Sequence, residues 1–238
     1  NSNTDDNTGA IIRGDLRDKK IHLMFSGHQY ADGGDQILKT LKKHGIKASF
    51  FFTGDFYRNV AFKSFIETTK EQGHYLGAHS DKHLLYNDWS DDKKLLVSES
   101  EFKQDLLDNY AEMEKFGVSK KEAPYFLPPY EWNDHSITQW ANQMDITLVN
   151  YSPGTRSHAD YTQPDDKNYT NSEQIYSSII KEESAKGLNG FLLLTHVGTE
   201  EKRTDKFYFK LDQLFTELKQ KGYEFVDLEK VLSLEKRY

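Results

Sequence analysis

Apolar residues follow two rhythms that take turns along this chain. Short runs at residues 21–25, 48–52, 75–78, 125–127, 146–150, 190–195 and 223–226 have the length of buried strands. Between them, apolar residues recur at helical spacing. Ile37, Leu38 and Leu41 mark a helix over 35–44, and Phe62, Phe65 and Ile66 mark a second. Leu95, Leu96, Phe102, Leu106, Tyr110 and Met113 mark a long helix over about 91–116, with further helices predicted over 136–144, 172–186 and 207–221. Gly45, Gly73, Gly117, Gly187 and Gly222 stand where five of these helices should stop, because glycine alone enters the left-handed cap conformation without a steric cost. Pro128 and Pro129 stop the run at 125–127, since proline has no N–H to give a central ladder.

About seven alternations of strand and helix predict an α/β fold, most simply a distorted (β/α) barrel of about seven parallel strands in a single domain. The 238 residues suit one such unit. Residues 1–18, polar and acidic at their start, read as a flexible leader of an exported protein, and 19–238 as the barrel domain. Residues 151–171 are polar and turn-rich and predict a long loop, a kind of segment that is usually functional inside a compact domain.

In parallel barrels the active site lies at the carboxyl ends of the strands. Those ends here hold His28, Asp55, His79, His83, Glu131, Asp160 and His196. His79 and His83 follow one strand with three residues between them, and imidazole is the commonest side-chain metal ligand. Two such rings supply half of a site that keeps a position open for water. Taken on its own, the spacing equally allows two loop histidines, since the chain has nine.

Composition narrows the chemistry. A net charge of −7 argues against a nucleic-acid backbone as partner, and no apolar run approaches the length of a membrane span. There is no cysteine, hence no disulfide, thiolate ligand or cysteine nucleophile. Aromatic residues make up 13 %, enough to fill a core and still line a groove.

Four pieces in order then resemble the polysaccharide deacetylase family, the NodB-homology domain of carbohydrate esterase family four. They are residues 47–54 (KASFFFTG), 79–83 (HSDKH), 128–130 (PPY) and 193–196 (LLTH). The resemblance spans roughly residues 20–231. It implies a metal-dependent hydrolase that removes acetyl groups, N-acetyl rather than O-acetyl first, from a polysaccharide or oligosaccharide. It implies one divalent metal, zinc first with cobalt, nickel or manganese as alternatives, on His79 and His83. It also implies that His196 is the general acid toward the leaving amine.

Two departures from the family pattern change that picture. Where the family's first strand ends in two aspartates, one the base and one a metal ligand, this chain has Ser26 and Gly27. Where the family has an arginine before its two prolines, this chain has Leu127. The replacements on offer are Asp32 as third ligand, His28 as base and Glu131 as a further catalytic carboxylate. Asp32 could equally cap the following helix. Tyr130, Trp132 and Tyr161 are the candidate sugar-binding aromatics. Loss of both aspartates also opens a second reading, a carbohydrate-binding protein that has lapsed as an enzyme.

Overall fold

A computed structural model describes residues 3–232 of the chain. In chain order its regular elements are β1 (Lys20–Gly27), α1 (Gly34–His44), β2 (Ser49–Phe52), α2 (Gly54–Arg58), α3 (Lys63–Glu71), β3 (Tyr75–Ala78), α4 (Glu99–Glu114) and β4 (Tyr125–Phe126). They continue with α5 (His135–Gln143), β5 (Thr147–Leu148), α6 (Ser172–Lys186), β6 (Phe191–His196), α7 (Leu211–Gln220), β7 (Glu224–Phe225) and α8 (Leu228–Leu232). The alternation read from the sequence is therefore present, and every strand pair with a resolved register is parallel.

The chain packs as two compact units, each built from two stretches of sequence. The first unit comprises residues 3–12 and 50–150. Its strands lie in the order β5–β4–β3–β2, with Ala78 paired to Phe126 and Phe126 to Leu148. β2 is buried along its whole length, and Phe52 stacks on Phe56 of α2 at 4.0 Å between ring centres. This short α2 has too few residues to show a helical period. It forms because the Thr53 hydroxyl accepts the Phe56 amide at 3.1 Å.

The second unit comprises residues 13–49 and 151–232. There β1 pairs with β6 over six residues, Ile21–Phe191 through Ser26–His196, and with β7 at its start. Residues 21–25 of this strand are apolar except for His22, which is 1 % exposed and bonded at both ring nitrogens. Nδ1 donates to the Val226 carbonyl at 2.8 Å and Nε2 accepts the Ser49 hydroxyl at 2.7 Å. Burial holds this imidazole neutral, with its pKa down at about 4.

Two expectations need correction. The long helix begins at Glu99, because Ser98 and Glu101 form a reciprocal capping box. Upstream of it, residues 86–96 fold back on themselves, with Asn87 bridged to Leu95. The segment 1–18, read as a flexible leader, is tied down from Asn3 onward, its first two residues lying outside the described ones. Ile11 bonds to Leu148 and Asn150 in the manner of an added strand, Ala10 is fully buried, and the Thr8 carbonyl accepts the Thr138 hydroxyl at 2.6 Å.

Candidate active site

β3 ends at Ala78 in the first unit and hands the chain to the paired histidines. His79 is 2 % exposed. Its Nδ1 donates to the Leu127 carbonyl at 2.6 Å, which fixes the tautomer and puts the ring's lone pair on Nε2. The backbone amide of His79 is held by the Asn109 side chain at 2.9 Å. The His83 ring stands edge-on to it, 5.1 Å away centre to centre, and packs on Tyr130 at 4.4 Å.

The turn between the two histidines is held by one carboxylate. Asp105 of α4 accepts the Ser80 hydroxyl at 2.6 Å, the Asp81 amide at 3.1 Å and the Lys82 amide at 3.1 Å. Burial raises its pKa above the ordinary carboxylate value despite these donors. Asp81, the carboxylate inside the motif, turns away to Arg58 at 2.5 Å. Only glycine fits at position 54 beside it, because a Cβ there would fall 1.7 Å from the Asp81 Oδ1.

Backbone strain gathers in these segments. Among the described residues, the non-glycine residues with positive φ are Ser80, His83, Lys93, Tyr130, Glu131 and Asp145. All but Asp145 lie on the loops around the histidine pair, and such conformations cost on the order of 1–3 kcal/mol each. Tyr130 is 45 % exposed. Glu131, partly exposed, has its carbonyl fixed by the Asn150 side chain at 3.0 Å. Trp132 is spent inward. Its indole N–H donates to the Asp88 carbonyl at 3.0 Å, and the Lys93 ammonium sits 4.1 Å from its ring centre.

In the second unit β6 ends on His196, whose Nδ1 meets Asp160 Oδ1 at 2.5 Å while its amide donates to Oδ2 at 2.9 Å. A carboxylate that grips both ring and backbone orients the imidazole and leaves Nε2 to hold or move a proton. Sequence reasoning missed this role for Asp160. Its place at a strand end is legible, but it meets His196 only because residues 157–161 form a 3-10 turn against β6. Tyr161, 48 % exposed, lies 5.3 Å from the His196 ring. His158 stacks on Tyr151 at 4.2 Å, and its pKa is lowered to about 4, by burial first and by Arg156 second.

The first loop, residues 28–34, is also tied within the second unit. The Gly33 amide donates to the Val197 carbonyl at 2.8 Å, and a Cβ at Gly33 would fall 2.4 Å from the Tyr208 ring. Asp32 spends both oxygens here. Oδ1 accepts the Thr199 amide at 2.8 Å, and Oδ2 takes the Tyr208 hydroxyl at 2.9 Å and Lys206 Nζ at 3.2 Å. It does not cap α1, whose first turn has no side-chain cap. His28, partly buried, follows β1 directly. The Ser26 hydroxyl, 1 % exposed and opposite His196 in the strand register, has no hydrogen-bond partner.

These residues fit a divalent metal only in part. Two neutral imidazoles suit zinc or cobalt. Among the described residues, however, no three His, Cys, Asp or Glu side chains are grouped so as to hold an ion. Where the family pattern has a third donor on its first strand, this chain has Gly27, which has no side chain.

A family model described as polysaccharide deacetylase matches residues 13–149. The chain is 26 % identical to a peptidoglycan-N-acetylglucosamine deacetylase of Bacillus cereus over 208 residues, 85 % of each chain. The solved structure of the Bc1960 peptidoglycan N-acetylglucosamine deacetylase matches with a TM-score of 0.74 at 20 % identity, covering 95 % of this chain and 94 % of that one. That of BA3943 of Bacillus anthracis, a CE4 family pseudoenzyme, matches with a TM-score of 0.73 at 19 % identity, covering 94 % and 68 %. A mutant of BA3943 is described as having restored enzymatic activity. These structural likenesses show a shared α/β fold of parallel strands.

Proposed function

Because the chain belongs to the polysaccharide deacetylase family, we propose that it is a hydrolase that removes acetyl groups, N-acetyl in preference to O-acetyl, from a peptidoglycan-like polysaccharide or its oligosaccharides. The observation that carries this reading is the His196–Asp160 pair at the end of β6, a proton donor already oriented by a buried carboxylate. In the reaction the acetyl C–N bond breaks, the acyl carbon takes a water oxygen, and the departing amine takes a proton from His196 Nε2. Asp160 stabilises the charged imidazole before the transfer. His28 and Glu131 are the proposed acceptors for the proton that water loses, in place of the missing aspartate.

His79 and His83 are the proposed holders of one divalent cation, zinc first. What the ion supplies when bound is Lewis acidity toward the acetyl carbonyl. Asp32 enters as third donor only at a cost, since it must release Thr199, Tyr208 and Lys206. Tyr130 and Tyr161 are the proposed sugar contacts. The protein acts outside the cytoplasm, where the polymers of its relatives lie; among the described residues no helix is long and apolar enough to cross a membrane.

A second reading has its own support. Ser26 and Gly27 in place of two carboxylates, with no three-donor group formed, is what a lapsed enzyme that still binds glycan looks like. Acetate release from acetylated chito-oligosaccharide and from peptidoglycan, with and without added zinc, separates the two. Release is expected, and His196→Asn should cut it by roughly 10²–10⁴-fold with an unchanged melting temperature. No release by the parent under any cation overturns the hydrolase reading in favour of the binding protein.

A further inference from the structure

Trp89 is among the most exposed apolar side chains of the described residues, at 60 %, and it does not sit on a loose loop. The segment that carries it is pinned on all sides. The Asp88 amide donates to the Lys94 carbonyl at 2.9 Å, and the Leu96 amide to Tyr86 at 2.8 Å. The fully buried Asn87 donates from Nδ2 to the Lys93 carbonyl at 2.9 Å and accepts the Asp134 amide at 3.0 Å. Asp88 Oδ1 closes the tip by accepting the Ser90 and Lys94 amides. A chain that spends this many bonds to hold an indole in water is presenting it.

What it presents is one wall of a corner. The Trp89 and Tyr130 rings meet at 90° with centres 5.6 Å apart, and Tyr130 in turn touches His83. Trp132 stands behind Trp89 at 5.5 Å, braced by Lys93. The strip His83–Tyr130–Trp89 therefore runs outward from the histidine pair, with Tyr130 and Lys93 both held at positive φ to build it. A flat aromatic wall suits the C–H face of a pyranose ring, and a second wall at right angles fixes the ring's edge.

We infer that Trp89 and Tyr130 form a sugar subsite, and that Trp89 rather than Trp132 is the stacking platform for the hexosamine next to the one that reaches His83. The inference rests on the reading of the substrate as an acetylated glycan but not on turnover. A hexosamine polymer, with an apolar face on every ring, is the class of ligand such a corner recognises, and it would read chain length as well as the acetyl group.

The test is calorimetric titration of the full chain with tetra-N-acetyl chitotetraose, run on the parent, Trp89→Ala and Trp89→Phe. Because Trp89 is exposed, all three should melt together. The alanine variant should bind roughly 3- to 10-fold more weakly and the phenylalanine variant nearly as well as the parent. If the parent releases acetate, Trp89→Ala should raise KM for the tetramer and leave kcat unchanged. Equal affinity in parent and Trp89→Ala overturns the subsite even if deacetylation is observed. Loss of affinity in Trp89→Ala with no acetate release from the parent upholds it while the hydrolase reading falls. Failure of the parent to bind the tetramer also overturns it.

Discussion

The two units each bring a histidine to the end of a strand, and they hold it by opposite means. In the second unit a carboxylate grips the ring itself, Asp160 on Nδ1 of His196 at 2.5 Å, which prepares the imidazole for a positive charge. In the first unit a backbone carbonyl takes Nδ1 of His79, while the nearby carboxylate Asp105 grips only the turn beneath the rings. An imidazole on a neutral acceptor stays a neutral ligand, and one on a carboxylate is ready to be an acid. This is the difference that the proposed roles of cation-holding pair and proton donor would need. The family pattern gives such histidines a carboxylate partner at the end of the first strand, where this chain has Ser26 and Gly27.

The substitution expected to act most strongly supplies that partner. Ser26→Asp with Gly27→Asp restores the two carboxylates of the family pattern. Gly27→Asp alone should tighten zinc binding, since a third protein donor completes the usual catalytic set. The double variant should release acetate faster by roughly 10²–10⁴-fold, the usual worth of a positioned base. Zinc affinity measured against a chelator and acetate release together decide it. If both stay at parent values, the first strand is not where the metal and base belong in this chain.

A third histidine sharpens the contrast, because it is held for neither purpose. His22 is buried with two neutral partners, and burial, the largest cause, lowers its pKa to about 4. An unfolded chain binds this proton near pH 6.5, well before the folded one does. Stability from His22 is therefore complete above about pH 6.5 and is lost as pH falls toward 4. The loss between pH 7.5 and 4.5 should be about 2–3 kcal/mol from this group. His158, lowered in the same direction, adds to it. Urea midpoints of parent and His22→Gln at the two pH values check this. The variant should be weaker at pH 7.5 but lose less on acidification; an equal loss in both would mean that His22 is not the group that titrates.

Much of this was legible in the sequence, and the limit falls at contacts between distant segments. Strand and helix alternation, the glycine stops at Gly45 and Gly117, and the placing of His79, His83 and His196 at strand ends all follow from local pattern. The early start given to α4 failed because Leu95 and Leu96 keep helical spacing with Phe102, although Ser98 caps between them. The polar residues 3–12 read as loose because pairing to Leu148 and Asn150 leaves no trace in composition. Asp160 stood among the strand-end residues, but its partner was hidden for the same reason, being a histidine 36 residues onward. Asp32 shows the reverse case. Its place after a lost carboxylate suggested a ligand, whereas its oxygens are filled by Thr199, Tyr208 and Lys206, none of which is near in sequence.

The smallest effect tests whether holding the backbone is worth anything to the rings above it. Three donors converge on Asp105, the Ser80 hydroxyl and the Asp81 and Lys82 amides. Both oxygens are needed to satisfy them, and Ser80 and His83 sit at φ of 67° and 55°, conformations that relax when their partners are removed. An asparagine keeps one acceptor and turns an NH2 group toward the remaining amide or hydroxyl, so at least one bond must break. Asp105→Asn should then let the turn drift and weaken zinc binding by about 10–100-fold, as the loss of a supporting partner does at metal sites. Melting temperature should fall as well, because a buried amide N–H loses its acceptor, so stability alone does not distinguish the two roles. The distinguishing measurement is zinc affinity at a temperature where both proteins are fully folded. Unchanged affinity in a destabilised variant would make Asp105 a support of the fold only. A weakened site would show that the first unit places its carboxylate under the histidines to do for their backbone what Asp160 does for the His196 ring.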